Sequence, residues 1–126
     1  MAETILVIDD EEETLRAVRL GLRHAGYEVE TAKDGNEGFQ KALKNRPFSV
    51  VLDLAMPGVD GLGFLKMVRS NAQLKNLPVV VLTGQDTYES MRQSYEGGSD
   101  LFLTKPADIK QIVGAIRFVT KGKNVK

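Results

Sequence analysis

The stretch VVLDLAMPGVDG, residues 50–61, decides how the chain is read. Val50, Val51 and Leu52 form a short apolar run rich in β-branched residues, and turn formers (Pro57, Gly58) follow closely. That combination predicts a strand. The run does not alternate with polar residues, so both of its faces must be covered, as in the interior of a parallel sheet. It ends in a single carboxylate, Asp53. An acid at the mouth of a buried strand is either a turn residue or a chemical group, and the rest of the chain must decide which.

Working outward, three more runs have the same character: Ile5 to Ile8, Val79 to Leu82 and Leu101 to Leu103. A fifth segment, Tyr27 to Ala32, alternates apolar and polar residues and reads as a strand with one covered face. Helical spacing fills the intervals. Leu15, Val18, Leu22 and Ala25 share a face that Gly26 ends. Asp34 can cap a helix carrying Phe39, Ala42 and Leu43, and Asp60 one carrying Leu62, Leu65 and Val68. Tyr88, Met91 and Tyr95 give a thin stripe on a fourth helix that stops at Gly97-Gly98. Asp108 can cap a fifth, with Ile109, Ile112, Val113, Ile116 and Val119.

Strand and helix thus alternate five times. The implied fold class is α/β: a (βα)5 doubly wound, flavodoxin-like three-layer sandwich with a parallel five-stranded sheet. Fully apolar strands belong inside and the alternating and short strands at the edges. Right-handed crossovers then give the order 2-1-3-4-5. One domain over residues 1–126 is expected, with 121–126 a frayed polar tail.

Composition narrows the class. Of 126 residues, 42% are apolar and 17 basic residues balance 17 acidic ones, which gives no electrostatic drive toward nucleic acid or a membrane. The absence of cysteine excludes disulfides and thiolate chemistry. No apolar run approaches the ~20 residues of a membrane span, and the N-terminus is not a signal peptide. A soluble cytoplasmic protein is expected. His24, the sole histidine, sits among Arg16, Arg19 and Arg23 and reads as solvated.

The carboxyl ends of the strands carry the chemistry. In the 2-1-3-4-5 order they bring Asp9-Asp10-Glu11, Asp53, Thr83-Gly84 and Thr104-Lys105-Pro106 toward one crevice. Each residue taken alone has an ordinary explanation as helix cap, turn residue, strand-end hydroxyl or surface lysine. Their joint placement at four strand ends argues for a site. Two carboxylates ~4 Å apart repel by roughly 4 kcal/mol at an effective dielectric near 20, so such a cluster needs a cation. Hard oxygen donors without histidine or cysteine select Mg²⁺ or Mn²⁺ over Zn²⁺.

These residues resemble the receiver domain of bacterial two-component response regulators. The resemblance rests on Asp9-Asp10 after ILVI, Asp53 in LDLAMPGVDG, Thr83 in VVVLTG and Lys105-Pro106 in DLFLTKP, together spanning residues 5–106. It implies that Asp53 is the phosphoacceptor for a sensor histidine kinase or histidine phosphotransfer protein. Asp10, Asp53 and the Ala55 backbone carbonyl would ligate Mg²⁺, with Asp9 acting largely through water and Mn²⁺ able to substitute. Thr83 and Lys105 would contact the phosphoryl group, and a cis bond before Pro106 would aim the lysine inward. Thr83 and Phe102 would switch the surface of the fourth helix, fifth strand and fifth helix, controlling an unknown output partner and permitting a weak homodimer.

Such a chain is not an enzyme beyond self-catalysed transfer and slow autodephosphorylation. This chain has Phe102 where many relatives have tyrosine, Gly84 after the threonine, and an Ala55 too small to guide water; Gln85 could do so instead. A haloacid-dehalogenase-type phosphatase is the enzymatic alternative, but Asp9-Asp10-Glu11-Glu12 breaks its Asp-x-Asp spacing. A flavin module would meet repulsion from the acidic first loop. A receiver-like docking platform without phosphorylation is the third alternative. The cognate kinase and pathway, and whether the chain acts alone or within a longer regulator, are not written in these residues.

Overall fold

The computed structural model describes residues 2–56 and 58–121. Pro57 and the tail from residue 122 lie outside them, and with them the expected Pro-Gly turn and most of the frayed end. In chain order the elements are β1 (Thr4–Ile8), α1 (Glu12–His24), β2 (Glu28–Ala32), α2 (Gly35–Asn45), β3 (Ser49–Leu52), α3 (Gly61–Arg69), β4 (Val79–Thr83), α4 (Tyr88–Glu96), β5 (Leu101–Thr104) and α5 (Ile109–Val119). The five strands are parallel and ordered β2-β1-β3-β4-β5, as the hydrophobic patterns predict.

The unbroken apolar strands divide their residues between two cores. In β1, Ile5 and Val7 pack with Leu15, Val18 and Leu22 of α1 and Ile112 and Ile116 of α5. Leu6 and Ile8 face the other way, toward Ala42 of α2 and Phe64, Leu65 and Val68 of α3. Period-two alternation sends neighbours to opposite faces, and both faces are dry, so a polar residue enters only with a hydrogen bond, as the Ser49 hydroxyl does by donating to the Pro78 carbonyl at 3.1 Å. Each fully buried side chain of this size contributes ~1.5–3 kcal/mol. β3 is buried at all four positions, whereas β5, at an edge, is only half-buried.

Local chemistry sets the helix starts. The Asp34, Asp60 and Asp108 carboxylates accept from the backbone N–H groups of Glu37, Gly63 and Gln111 at 2.8, 2.9 and 2.9 Å. Gln111 returns the bond to the Asp108 N–H, which completes a capping box. Two expectations differ from the structure. Ala25 is the exposed C-cap of α1 and not part of its buried face. On α4, Tyr88 is 74% and Tyr95 43% exposed, and the fully buried residue is Ser94. Its hydroxyl donates to the Met91 carbonyl at 3.0 Å and accepts from Ser99 at 3.2 Å. A small, internally hydrogen-bonded residue lets α4 lie close to the body, while the tyrosines keep their polar ends in water.

Candidate functional site

Sheet register assembles the site. Ile8 pairs with Leu52, so the residues that follow, Asp9 and Asp53, emerge side by side; the Asp53 N–H donates to the Ile8 carbonyl at 2.9 Å. Thr83 pairs with Thr104, and the Lys105 N–H donates to the Thr83 carbonyl at 2.9 Å. Asp9, Asp53, Thr83 and Lys105 each lie at, or one step beyond, the end of a rigid strand, which fixes their backbone more firmly than a long loop would. The Lys105-Pro106 peptide bond is cis, as the resemblance implies.

On the far side, α3 closes against the same corner. The Gly61 N–H donates to the Leu54 carbonyl at 3.1 Å. A Cβ on Gly61 would stand 2.5 Å from the Asp53 carbonyl oxygen and 2.6 Å from the Leu54 Cα. Glycine is what allows the helix start to pack against the backbone of the strand-end acid.

The side chains converge. Asp9, Asp10 and Asp53 each offer a carboxylate oxygen, and these three atoms lie within 4.8 Å of one another. Asp9 and Asp53 are 3% and 5% exposed, while Asp10 is exposed. The Lys105 ammonium lies 2.8 Å from Asp9 Oδ2, 2.8 Å from Glu11 Oε1 and 3.5 Å from Asp53 Oδ2. Asp9 Oδ1 accepts from the Glu11 N–H at 2.9 Å, and Asp53 Oδ1 accepts from the Ala55 N–H at 3.4 Å. Thr83 is fully buried, and its Oγ1 accepts from the Gln85 N–H at 3.2 Å.

The electrostatics follow the burial. Desolvation raises the Asp9 carboxyl above the ordinary aspartate value and the negative Asp53 adds to this; the bonds from Lys105 and the Glu11 N–H oppose it. Burial by itself would lower the Lys105 ammonium. Hydrogen bonds to Asp9 and Glu11 and the charges of Asp53 and Asp9 outweigh it, holding the group above the usual lysine range. The exposed Glu11 carboxyl is lowered, first by its hydrogen bond to Lys105.

The donor set suits a small hard dication. Three carboxylates converge with no nitrogen or sulfur ligand among them, and an ammonium already sits within ion-pair distance of two. Phe102 is half-buried; its pairing with Val81 sets it on the same sheet face as Thr83, two residues along β4. Ala55 is exposed at the rim. Gln85 and Ala55 line a cavity of about 320 Å³ together with Met56, Asp60, Ser90 and Gln93.

Two partners were hidden from the sequence reading. Asp9 and Asp10 do not cap α1: the N-cap is Glu11, which makes no side-chain capping bond. Glu11 instead reaches Lys105, 94 positions away. The signal, a third acid after the acidic pair, is present in the sequence, but its direction is set by the turn that Asp9 stabilises. Arg69, at the end of α3, is the other. Its guanidinium donates to the carbonyls of Lys75, Leu77 and Gly98 at 2.6–3.0 Å and pairs with Asp100 at 3.2 Å, tying together the loops at the opposite end of the sheet.

Comparison with known proteins agrees with this arrangement. The family model described as the response regulator receiver domain matches residues 5–117. The transcriptional regulatory protein PrrA of Mycobacterium tuberculosis is 35% identical over 113 residues, covering 90% of this chain and 48% of that protein. The chain therefore spans about half the length of the curated relatives it matches. A putative response regulator from Chloroflexus aurantiacus superposes with a TM-score of 0.91 at 32% identity, covering 95% of this chain and 98% of that one. The chemotaxis protein CheY4 of Vibrio cholerae gives 0.89 at 33% identity, covering 94% and 99%. With the family shown, the dehalogenase and flavin readings lose their footing. No helix among the described residues is long and apolar enough to cross a membrane. The chain belongs to the receiver domain family of two-component response regulators.

Proposed function

We propose that Asp53 accepts a phosphoryl group and that the domain, taken as residues 1–126, acts as a phosphorylation-dependent switch. The observation that carries this reading is the convergence of Asp9, Asp10, Asp53 and Lys105 on one corner of the sheet. The donor is a phosphohistidine on a sensor kinase or phosphotransfer protein. An Asp53 carboxylate oxygen forms the new O–P bond as the donor's N–P bond breaks. The electron pair leaves with the imidazole, which takes a proton from solvent.

Asp9, Asp10, Asp53 and the Ala55 carbonyl would hold Mg²⁺, or Mn²⁺ in its place, and the bound ion supplies charge neutralisation for the phosphoryl oxygens. Lys105, 3.5 Å from Asp53 Oδ2, supplies the remaining positive charge. The Thr83 hydroxyl, whose oxygen accepts from Gln85, is free to donate to a phosphoryl oxygen. Movement of Thr83 would open space on the face it shares with Phe102, and the half-buried ring would turn inward. The α4-β5-α5 surface then changes, and with it an output partner's affinity or a weak homodimer. The population shifts only by the phosphoryl group's differential affinity for the two states.

Incubation with acetyl phosphate and Mg²⁺, followed by intact-mass measurement, tests the proposal. A gain of one phosphoryl group that disappears in Asp53→Asn supports it. No gain, or a gain that survives Asp53→Asn, rejects it and favours a docking platform.

A further inference from the structure

Glu11 occupies the N-cap of α1, a position where serine, threonine, aspartate or asparagine usually satisfies a free backbone N–H. Its side chain does not take that local role. Its Oε1 lies 2.8 Å from Lys105 Nζ and accepts from the Thr14 hydroxyl at 3.2 Å. Lys105 is the only cation in ion-pair reach of Glu11 among the described residues. The ammonium is as close to Glu11 as to Asp9, and 0.7 Å further from Asp53 (3.5 against 2.8 Å).

A phosphoryl group on Asp53 brings close to two negative charges to the side of the ammonium where its contact is longest. To answer it, Lys105 must move toward Asp53 and loosen a short contact. Glu11 resists twice. It competes for the same ammonium donors, and its own charge faces the incoming anion across Lys105. Building on the phosphoacceptor reading, we infer that Glu11 is a positioning residue that holds Lys105 back from Asp53 in the unphosphorylated protein and weakens capture of the phosphoryl group.

The neighbouring Glu12 provides an internal control. It carries the same charge and similar exposure, 61% against 63%, but pairs with Lys33 at 3.2 Å and not with Lys105. The probe is beryllofluoride, a phosphoryl mimic, titrated in the presence of Mg²⁺ and followed by calorimetry and by fluorine NMR of the bound species. The full chain is used as wild type, Glu11→Gln, Glu12→Gln, Lys105→Met and the Glu11→Gln/Lys105→Met double variant.

Solvent screens the Glu11–Lys105 pair, so Glu11→Gln should tighten beryllofluoride only about 2- to 5-fold. Glu12→Gln should change it by less than about 1.5-fold, the residue of a screened charge. In the Lys105→Met background the gain from Glu11→Gln should fall to the Glu12→Gln level, which a merely structural role would not produce. Affinity for Mg²⁺ alone, which senses net charge, should fall slightly and equally in both single variants. Equal beryllofluoride gains in Glu11→Gln and Glu12→Gln, or an undiminished gain without Lys105, overturn the inference and leave the phosphoacceptor reading intact. Failure of the wild type to bind beryllofluoride with Mg²⁺ rejects that reading itself, and the inference with it.

Discussion

Replacing Gly61 with alanine adds one methyl group at the corner that positions Asp53. Its Cβ would lie 2.5 Å from the Asp53 carbonyl oxygen and 2.6 Å from the Leu54 Cα, both backbone atoms that no rotamer change can move. The Leu54 Cδ2, at 3.0 Å, adds a third contact. Either the start of α3 or the β3–α3 connection must shift. Forced overpacking of this kind costs ~1–3 kcal/mol, and for a domain of this size that is a fall of roughly 4–12 °C in Tm.

Gly114→Ala is the counterpart. Gly114 is exposed in the middle of α5, and nothing lies within 4 Å of its prospective Cβ. There the change relieves glycine's helix penalty and should stabilise by ~0.5–1 kcal/mol, or roughly 2–4 °C. Differential scanning calorimetry of the two variants reads both signs. In Gly61→Ala, the rate of acetyl phosphate uptake should also fall, because the backbone carrying Asp53 is displaced; in Gly114→Ala it should not. A Gly61→Ala protein as stable and as reactive as wild type would refute the claim that this close approach sets the site.

Lys105→Met should destabilise the metal-free protein by ~1–3 kcal/mol, since Asp9 is left buried without its charged partner; millimolar Mg²⁺ should recover part of the loss in urea titrations. The same pair of proteins reports pH dependence. The folded-state pKa of Lys105 is raised, so its contribution is whole below the unfolded value of about 10.4 and drains away as pH climbs through the higher folded value. The wild-type advantage over Lys105→Met should hold from neutral pH to about pH 10 and shrink above it, and a constant difference up to pH 11 would contradict this. Gln85, at the rim of the cavity beside Ala55, is expected to govern loss of the phosphoryl group; an unchanged phosphoryl half-life in Gln85→Ala would refute that role.

The unbroken apolar strands, the aspartate caps at 34, 60 and 108 and the sheet order are local or pattern-level properties. Hydrophobic period and turn chemistry act over a few residues, so these features were legible in the chain itself. The identities of Asp9, Asp10, Asp53, Thr83 and Lys105 were legible for the same reason, as each stands at a predicted strand end. The α4 stripe misled because a tyrosine at helical spacing satisfies a pattern without being buried, while Ser94 fits the narrow gap by hydrogen-bonding to its own helix.

Sequence alone therefore determined the family, the fold and which residues could meet. Tertiary structure decided how they meet. It turned Glu11 away from its helix cap toward Lys105, spread Arg69 across three carbonyls of two loops, and made glycine necessary at position 61. Those outcomes depend on distances between segments remote in the chain, and such distances exist only once the sheet has brought the segments together.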